Sequence, residues 1–552
     1  MAGKGFFLGG VIDPATGRRT DDQALVHYDP SDLTTHGVIV GMTGSGKTGL
    51  GVIYLEEALR AGIPTLVLDP KGDMTNLLLT FPDLAAADFA PWVDEGEAGR
   101  EGKSPDQLAA ETADLWKNGL ASWGLSGSDI GALREGAGFT VFTPGSSAGV
   151  PLNIIGSLAA PALDFEEEAE TLRDEIEGFT TGILGLVGVE SDPLSSREHI
   201  LISNLIERAW TAGEDLDLEM LLAQIQRPPL RKLGVFDVDT FFPEKDRLAL
   251  AMKLNTLVAS PSFEAWREGP ALDMERLLWT EDGKPRASIV YLAHLSDDER
   301  QFVVTLVLSK LITWMRSQAG SSDLRALVYM DEVFGFVPPT ATPPAKKPIL
   351  TILKQARAFG VGMLLSTQNP VDLDYKAMSN AGTWCIGRLQ TERDKARILE
   401  ALQSAGGDTD VAALDALISG LGKRQFVLHN TRDRQPTLFT TRWAMSYLRG
   451  PLTREQIASL THDDPSRTAP QAPPRAERTT EVADDESTVA PEVASGIPVY
   501  HLDPGAPWAD QVEAVRNGTR YQAAVAMRVG LVFDDTTAGV DHRETWEAVV
   551  FP

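Results

Sequence analysis

The run Gly41-Met42-Thr43-Gly44-Ser45-Gly46-Lys47-Thr48 has the spacing G-x-x-x-x-G-K-[ST] of a phosphate-binding P-loop. The chemistry it predicts is anion capture. Glycine-rich backbone lets a phosphate approach the N–H groups that a side chain would screen, and a helix starting there adds the favourable end of its dipole. Gly41, Thr43, Gly44, Ser45, Gly46, Lys47, Thr48 and Gly49 are therefore the candidate nucleotide-contacting residues. Lys47 is expected to reach the β- and γ-phosphates, and the Thr48 hydroxyl to ligate Mg²⁺. The setting agrees: apolar Gly37-Val38-Ile39-Val40 reads as a strand before the loop, and Leu50, Ile53, Leu55 and Leu59 are spaced for a one-faced helix after it.

Two further stretches carry acid and amide groups. Leu324 to Met330 is an apolar strand that ends in Asp331-Glu332. That is the Walker B arrangement, with Asp331 holding Mg²⁺ and Glu332 polarising the attacking water. Gly362 to Thr367 is a strand ending at Gln368, a candidate to sense the γ-phosphate or position water. Asp69 and Asp73 follow the strand Thr65-Leu66-Val67-Leu68. Their place at a carboxyl strand end suits contact with Mg²⁺ or water, and equally suits a polar turn capping the next helix. Arg388, Arg393 and Arg397 are candidates for an arginine finger completing a neighbouring subunit's site.

These residues need an alternating α/β frame to meet. Residues 1–36 read as two strands, Phe6–Val11 and Ala24–Tyr28, packing on the core. Residues 37–159 form the first part of an ATPase core. Residues 160–285 read as a helical insertion, with helices over Leu163–Ile183, Ser196–Trp210, Leu216–Ile225 and Leu248–Leu257 and with His199 as a helix residue rather than a ligand. Residues 286–463 resume the sheet, with Phe334–Pro348 as a loop and a closing hairpin over 424–443. Residues 464–496, rich in Pro, Ala, Glu, Thr and Ser, read as a disordered linker. Residues 497–552 read as a small α+β region, with a helix at Gln511–Arg516 and strands at Val529–Phe533 and Thr545–Phe551. The apolar run ending at Pro552 suggests a fragment whose next domain continues, with a protein that ends on an edge strand as the other reading. The fold class expected is α/β: a RecA-like P-loop core with a large helical insertion, a linker and a small C-terminal region.

Composition narrows the class. The 552 residues are 43% hydrophobic and 23% charged, as in ordinary soluble proteins, and no apolar run is long enough to span a bilayer. The one cysteine, Cys385, excludes an internal disulfide and fits a reducing compartment, so a cytoplasmic location without membrane contact is expected. The net charge of −28 argues against a surface coated with nucleic acid, while leaving room for basic residues confined to a pore. Lys346, Lys347 and Lys354 are the places to look for those.

The P-loop with its strand (His36 to Thr48), Asp69-Pro70-Lys71-Gly72-Asp73, Tyr329-Met330-Asp331-Glu332 and Leu365-Ser366-Thr367-Gln368 together resemble the HerA–FtsK branch of P-loop motor ATPases. The nearest likeness is to a HerA-like group of bacterial ATP-binding proteins with a helical insertion, and it covers roughly residues 33–445. The resemblance implies ATP and Mg²⁺, a homo-oligomeric, hexameric ring, hydrolysis between subunits and helicase- or translocase-like movement of double-stranded DNA through the pore. It implies Lys47 and Thr48 as the Walker A pair, Asp331 and Glu332 as the Walker B pair, Gln368 as sensor and an arginine near Arg388 acting in trans. Only some thirty residues precede the P-loop, where HerA-type motors carry a barrel that contacts a nuclease, so that pairing is not expected here. The insertion or the C-terminal region is then the candidate dock for a different protein partner. Two rival readings remain: a nucleotide-gated scaffold that recruits partners, and a motor for protein cargo.

Overall fold

The computed structural model describes the chain except residues 1–4, 22, 155–157, 161–164, 166–167, 406–410, 433–434, 468–485, 488–520, 523, 536, 538 and 551–552. The expected helix at Gln511–Arg516 and nearly all of the expected linker lie outside the described residues. Two compact units form, residues 1–471 and residues 472–552.

The first unit is built on a 12-stranded sheet. In chain order its strands are β1 (Phe6–Asp13), β2 (Arg18–Arg19), β3 (Leu25–Tyr28), β4 (Gly37–Val40), β5 (Thr65–Asp69) and β6 (Gly138–Phe142). A small separate hairpin, β7 (Lys232–Leu233) and β8 (Phe236–Asp237), lies in the helical segment. The sheet resumes with β9 (Arg286–Tyr291), β10 (Ser321–Met330), β11 (Phe359–Thr367), β12 (Thr383–Ile386), β13 (Gln425–Asn430) and β14 (Thr437–Thr441). The spatial order is β2-β1-β14-β13-β12-β4-β11-β10-β5-β9-β6, with β3 on β1. From β12 to β6 the pairing is parallel, and β1, β13 and β14 add an antiparallel flank. The fold is thus the mixed α/β type with a parallel-dominated sheet.

The central strands are apolar on both faces because both are covered, as parallel sheets require. Successive residues alternate between two cores. Ile39, Val67, Leu327 and Tyr329 pack with Leu50 and Ile53 of the helix α1 (Lys47–Arg60). Val38, Val40, Leu66, Leu68, Val328 and Met330 pack with Phe302, Leu306 and Leu308 of the helix Asp297–Arg316 on the other side. Register then does the positioning. Val40 is level with both Thr367 and Ile386, and Met330 with both Leu365 and Leu68. Gly41, Gln368, Asp331 and Asp69 consequently leave the sheet together at its carboxyl edge, where open α/β sheets bind ligands.

The helical segment contains Ala169–Leu186, Arg197–Thr211, Leu218–Gln226 and Glu244–Ala259. His199 is buried in the second of these and bonds the hydroxyls of Thr181 and Ser203. The stretch expected as a loop up to Pro348 is a loop only up to Ala345; a helix begins at Lys346 and runs to Gln355. At its start the Lys346 ammonium binds the carbonyls of Pro338 and Ala341, and it pairs with Asp374 at 2.8 Å. Lys346 is buried, so it does not supply the basic pore surface expected of it. Lys347 is exposed but paired, at 2.6 Å, with Glu177 of the helix Ala169–Leu186.

The second unit contains a short pair, β15 (Glu486–Ser487) with β16 (Tyr521–Gln522), and a long hairpin, β17 (Val525–Asp535) with β18 (Val540–Val550). Among the described residues no helix is long and apolar enough to cross a membrane.

Candidate functional site

The P-loop turns on two glycines in the left-handed region, Gly44 at φ 76° and Gly46 at φ 105°; Gly46 is also the residue from which α1 starts. The loop is clipped to its neighbours by backbone bonds. Gly41 N–H donates to the Thr367 carbonyl at 3.3 Å, and Met42 N–H to the Arg388 carbonyl at 2.7 Å. Ser45 is buried under the loop, and its carbonyl accepts from Arg424 N–H at 2.8 Å. Lys47 folds back and donates to the carbonyls of Gly41 at 2.5 Å and Met42 at 3.3 Å. Burial pushes its ammonium down to about 8, against the pull of Glu332 and Asp331.

A cavity of about 480 Å³ opens beside this loop. Thr43, Gly44, Gly46, Lys47, Thr48 and Gly49 line it from the loop side, and Asp331, Glu332 and Gln368 from the strand ends. Residues far apart in the chain thus meet here: the Thr43 hydroxyl donates to Gln368 Oε1, 325 positions on, at 2.6 Å. Glu332, at φ 56°, directs its carboxylate to Lys71 Nζ at 2.7 Å. Asp331 accepts from the Tyr329 hydroxyl at 3.0 Å. That contact needs Gly51 in α1, where any Cβ would stand 2.3 Å from the same hydroxyl. Burial pushes Asp331 up to about 6.

The two aspartates at the end of β5 and in the turn after it part company. Asp69 is fully buried and accepts the N–H groups of Gly72 at 2.7 Å and Met74 at 2.9 Å, which makes it the cap of its turn. Burial and the charge of Asp331 push it up to about 8. Asp73 lines the cavity, and burial raises its carboxyl as well.

Arg388 and Arg393 are both exposed, and neither lines the cavity. Arg388 touches the site only through its carbonyl, and Arg393 lies in the first turn of the helix Glu392–Ala405. Arg397 lies over the Tyr375 ring, 5.7 Å from its centre.

Several lining residues were not picked out from the sequence: Lys71, Trp116, Lys423, Arg424, Trp443 and Leu448. Lys423 and Arg424 form the turn just before β13, and the Arg424 guanidinium lies over the Trp443 ring at 5.0 Å. The segment after β14 is anchored by Arg442, which is fully buried and pairs with Glu56 and Glu57 of α1, both at 2.9 Å. Nothing in local spacing marks these residues. The one available signal was Lys71, inside a charged turn at the same strand edge.

The donor set fits a divalent ion shared with phosphates. Asp331 offers a buried carboxylate and Thr48 a hydroxyl, which suits Mg²⁺ held by one or two protein groups plus substrate oxygens. Among the described residues, no three His, Cys, Asp or Glu side chains group to hold a metal by themselves.

Comparison with known proteins agrees with the P-loop reading. Residues 16–118 match the family model described as the central domain of helicase HerA. Among solved structures, VirB4 of Thermoanaerobacter pseudethanolicus is 14% identical, with a TM-score of 0.46 over 80% of this chain and 97% of that one. The bacterial conjugative coupling protein TrwB in its unbound form is 11% identical, with a TM-score of 0.45 over 82% and 98%. The genome packaging NTPase B204 of Sulfolobus turreted icosahedral virus 2, in complex with ATP-gammaS, is 16% identical, with a TM-score of 0.22 over 28% and 68%. The search of curated proteins returned no match.

Proposed function

We propose that this protein is an ATP-hydrolysing motor of the HerA–FtsK type that works as a homo-oligomeric ring on double-stranded DNA. The observation that carries the ATPase part is the single cavity lined by Lys47, Thr48, Asp331, Glu332 and Gln368. The match of residues 16–118 to the HerA central domain supports the motor class and duplex DNA as cargo.

Each residue has a physical task. The backbone N–H groups at the start of α1 receive the phosphates. Lys47 exchanges its two carbonyl partners for phosphate oxygens, which restores the charge that burial disfavours. Thr48 and Asp331 would hold Mg²⁺, which supplies charge neutralisation on the β- and γ-phosphates. Glu332 takes a proton from the attacking water, and Gln368 fixes that water's direction. Arg388 or Arg393, being exposed and outside the cavity of its own chain, is available to the site of a neighbouring subunit.

The test is steady-state ATP hydrolysis with and without duplex DNA. A several-fold rise on DNA, abolished by Lys47→Ala, supports the reading. Hydrolysis indifferent to DNA would keep the ATPase and remove the cargo, leaving a protein-directed motor or scaffold.

A further inference from the structure

Glu332 is held in a way that does not suit a free general base. One carboxylate oxygen, Oε2, accepts from Lys71 Nζ at 2.7 Å. The other, Oε1, faces the Thr367 hydroxyl at 3.3 Å and the Gln368 N–H at 3.4 Å. A carboxylate with a cation seated on one oxygen and two donors facing the other is closed to an approaching water on those sides. It also has fewer lone pairs to offer to water.

The three donors differ in freedom. Thr367 is the last residue of β11, level with Val40 in the sheet's ladder, and Gln368 follows it directly, with its side chain accepting from the Thr43 hydroxyl. Lys71 sits in the turn after β5, where the Asp69 carboxylate pins the neighbouring N–H groups of Gly72 and Met74. The base of its arm is therefore fixed, while its side chain is 39% exposed and borders the same cavity as the P-loop. Lys71 is the donor that can move. Lys47, by contrast, is engaged with the carbonyls of its own loop.

We propose that Lys71 is a positioning residue that latches Glu332 in the nucleotide-free site. The terminal phosphate of a bound nucleoside triphosphate draws the Lys71 ammonium away, and this frees the Glu332 carboxylate to take a proton from water. A diphosphate lacks that terminal group and leaves the latch closed. The inference rests on the ATPase reading above and adds to it how the site responds to a triphosphate rather than a diphosphate.

A double-mutant cycle read by binding tests it. Affinities for ADP and for a non-hydrolysable ATP analogue, with Mg²⁺, are measured on the wild type, Lys71→Met, Glu332→Gln and the double variant. Glu332→Gln removes the latch's acceptor, so it should tighten the triphosphate analogue and leave ADP unchanged. That tightening should be at least about three-fold greater with Lys71 present than in the Lys71→Met background, a coupling typical of contacting charged pairs. Lys71→Arg should retain the coupling, which a merely structural loss would not. Equal tightening in both backgrounds, or equal tightening for ADP, overturns the latch. If the wild type hydrolyses ATP normally and the coupling is absent, only the latch fails. If the wild type binds no nucleotide, the ATPase reading fails and takes the latch with it.

Discussion

At the scale of single residues, nucleotide binding and turnover fall to different side chains. On the proposed reading Lys47 would meet the phosphates with an ammonium that burial holds near 8. Replacing it with alanine should remove nucleotide binding and hydrolysis together, as read by calorimetry and phosphate release. Glu332→Gln keeps shape and loses proton affinity. It should therefore bind ATP while turnover falls by about 10²–10⁴-fold, the range general base catalysis contributes.

At the scale of elements, the site depends on how β4 and α1 are anchored. His36 enters β4 from a buried turn at φ 63°, and its Nδ1 accepts the Met363 N–H at 3.1 Å. Burial holds its imidazole down to about 4, from an ordinary 6.5. The sign follows from proton counting. Below 6.5 the unfolded chain takes up a proton that the folded chain refuses, so this residue's contribution to stability is present above 6.5 and is lost as pH falls towards 4. The loss is about 2 kcal/mol at pH 5. His36→Asn keeps an acceptor and tolerates positive φ. Chemical denaturation at pH 7 and pH 5 should show the wild type losing that much relative to the variant; parallel losses in both proteins would refute the assignment. Asp69 and Asp331 shift the other way and are common to both proteins, so they cancel in this comparison.

Arg442 ties the cavity wall to α1. Its partner Glu56 also accepts the N–H and the hydroxyl of Ser446, at 2.8 and 2.9 Å. Arg442→Met would leave the fully buried Glu56 carboxylate without a cation, while Glu57 keeps Arg60 at 3.1 Å, and should cost about 3–5 kcal/mol in denaturant unfolding.

Elements were the most legible part of the chain. β4, β5, β10 and β11 are buried on both faces, so their near-continuous apolar runs announce them, and the P-loop announces α1. The roles of side chains after β5 were not legible, because Asp69 and Asp73 have the same chemistry and differ only in what the turn does with them. Lys423, Arg424 and Trp443 were hidden for another reason: they reach the P-loop through an antiparallel flank whose placement depends on pairing over the whole sheet. The start of the helix at Lys346 was missed because the carbonyls that hold it belong to a proline-rich loop that reads as a breaker.

At the scale of the whole molecule, the ring proposal rests on arginines outside their own site. Arg388→Ala and Lys47→Ala proteins should each be inactive alone. If Arg388 acts in trans, mixing the two should restore hydrolysis, because some interfaces then combine an intact Lys47 with an intact Arg388. The same mixing with Arg393→Ala decides between the two arginines, and no restoration with either would place the missing cation in cis. The expected basic surface needs revision as well. Lys346 is buried and Lys347 is paired to the helical segment, which leaves Lys354 exposed on the helix Lys346–Gln355. Lys354→Glu should weaken any stimulation by duplex DNA without changing hydrolysis in its absence.

The most direct test of the central claim is ATP turnover by the full chain and by Glu332→Gln, with ATP binding measured on the same samples. The account predicts that both proteins bind ATP and that only the wild type releases phosphate at a steady rate. Binding without turnover in the wild type, or turnover by Glu332→Gln at the wild-type rate, would contradict it.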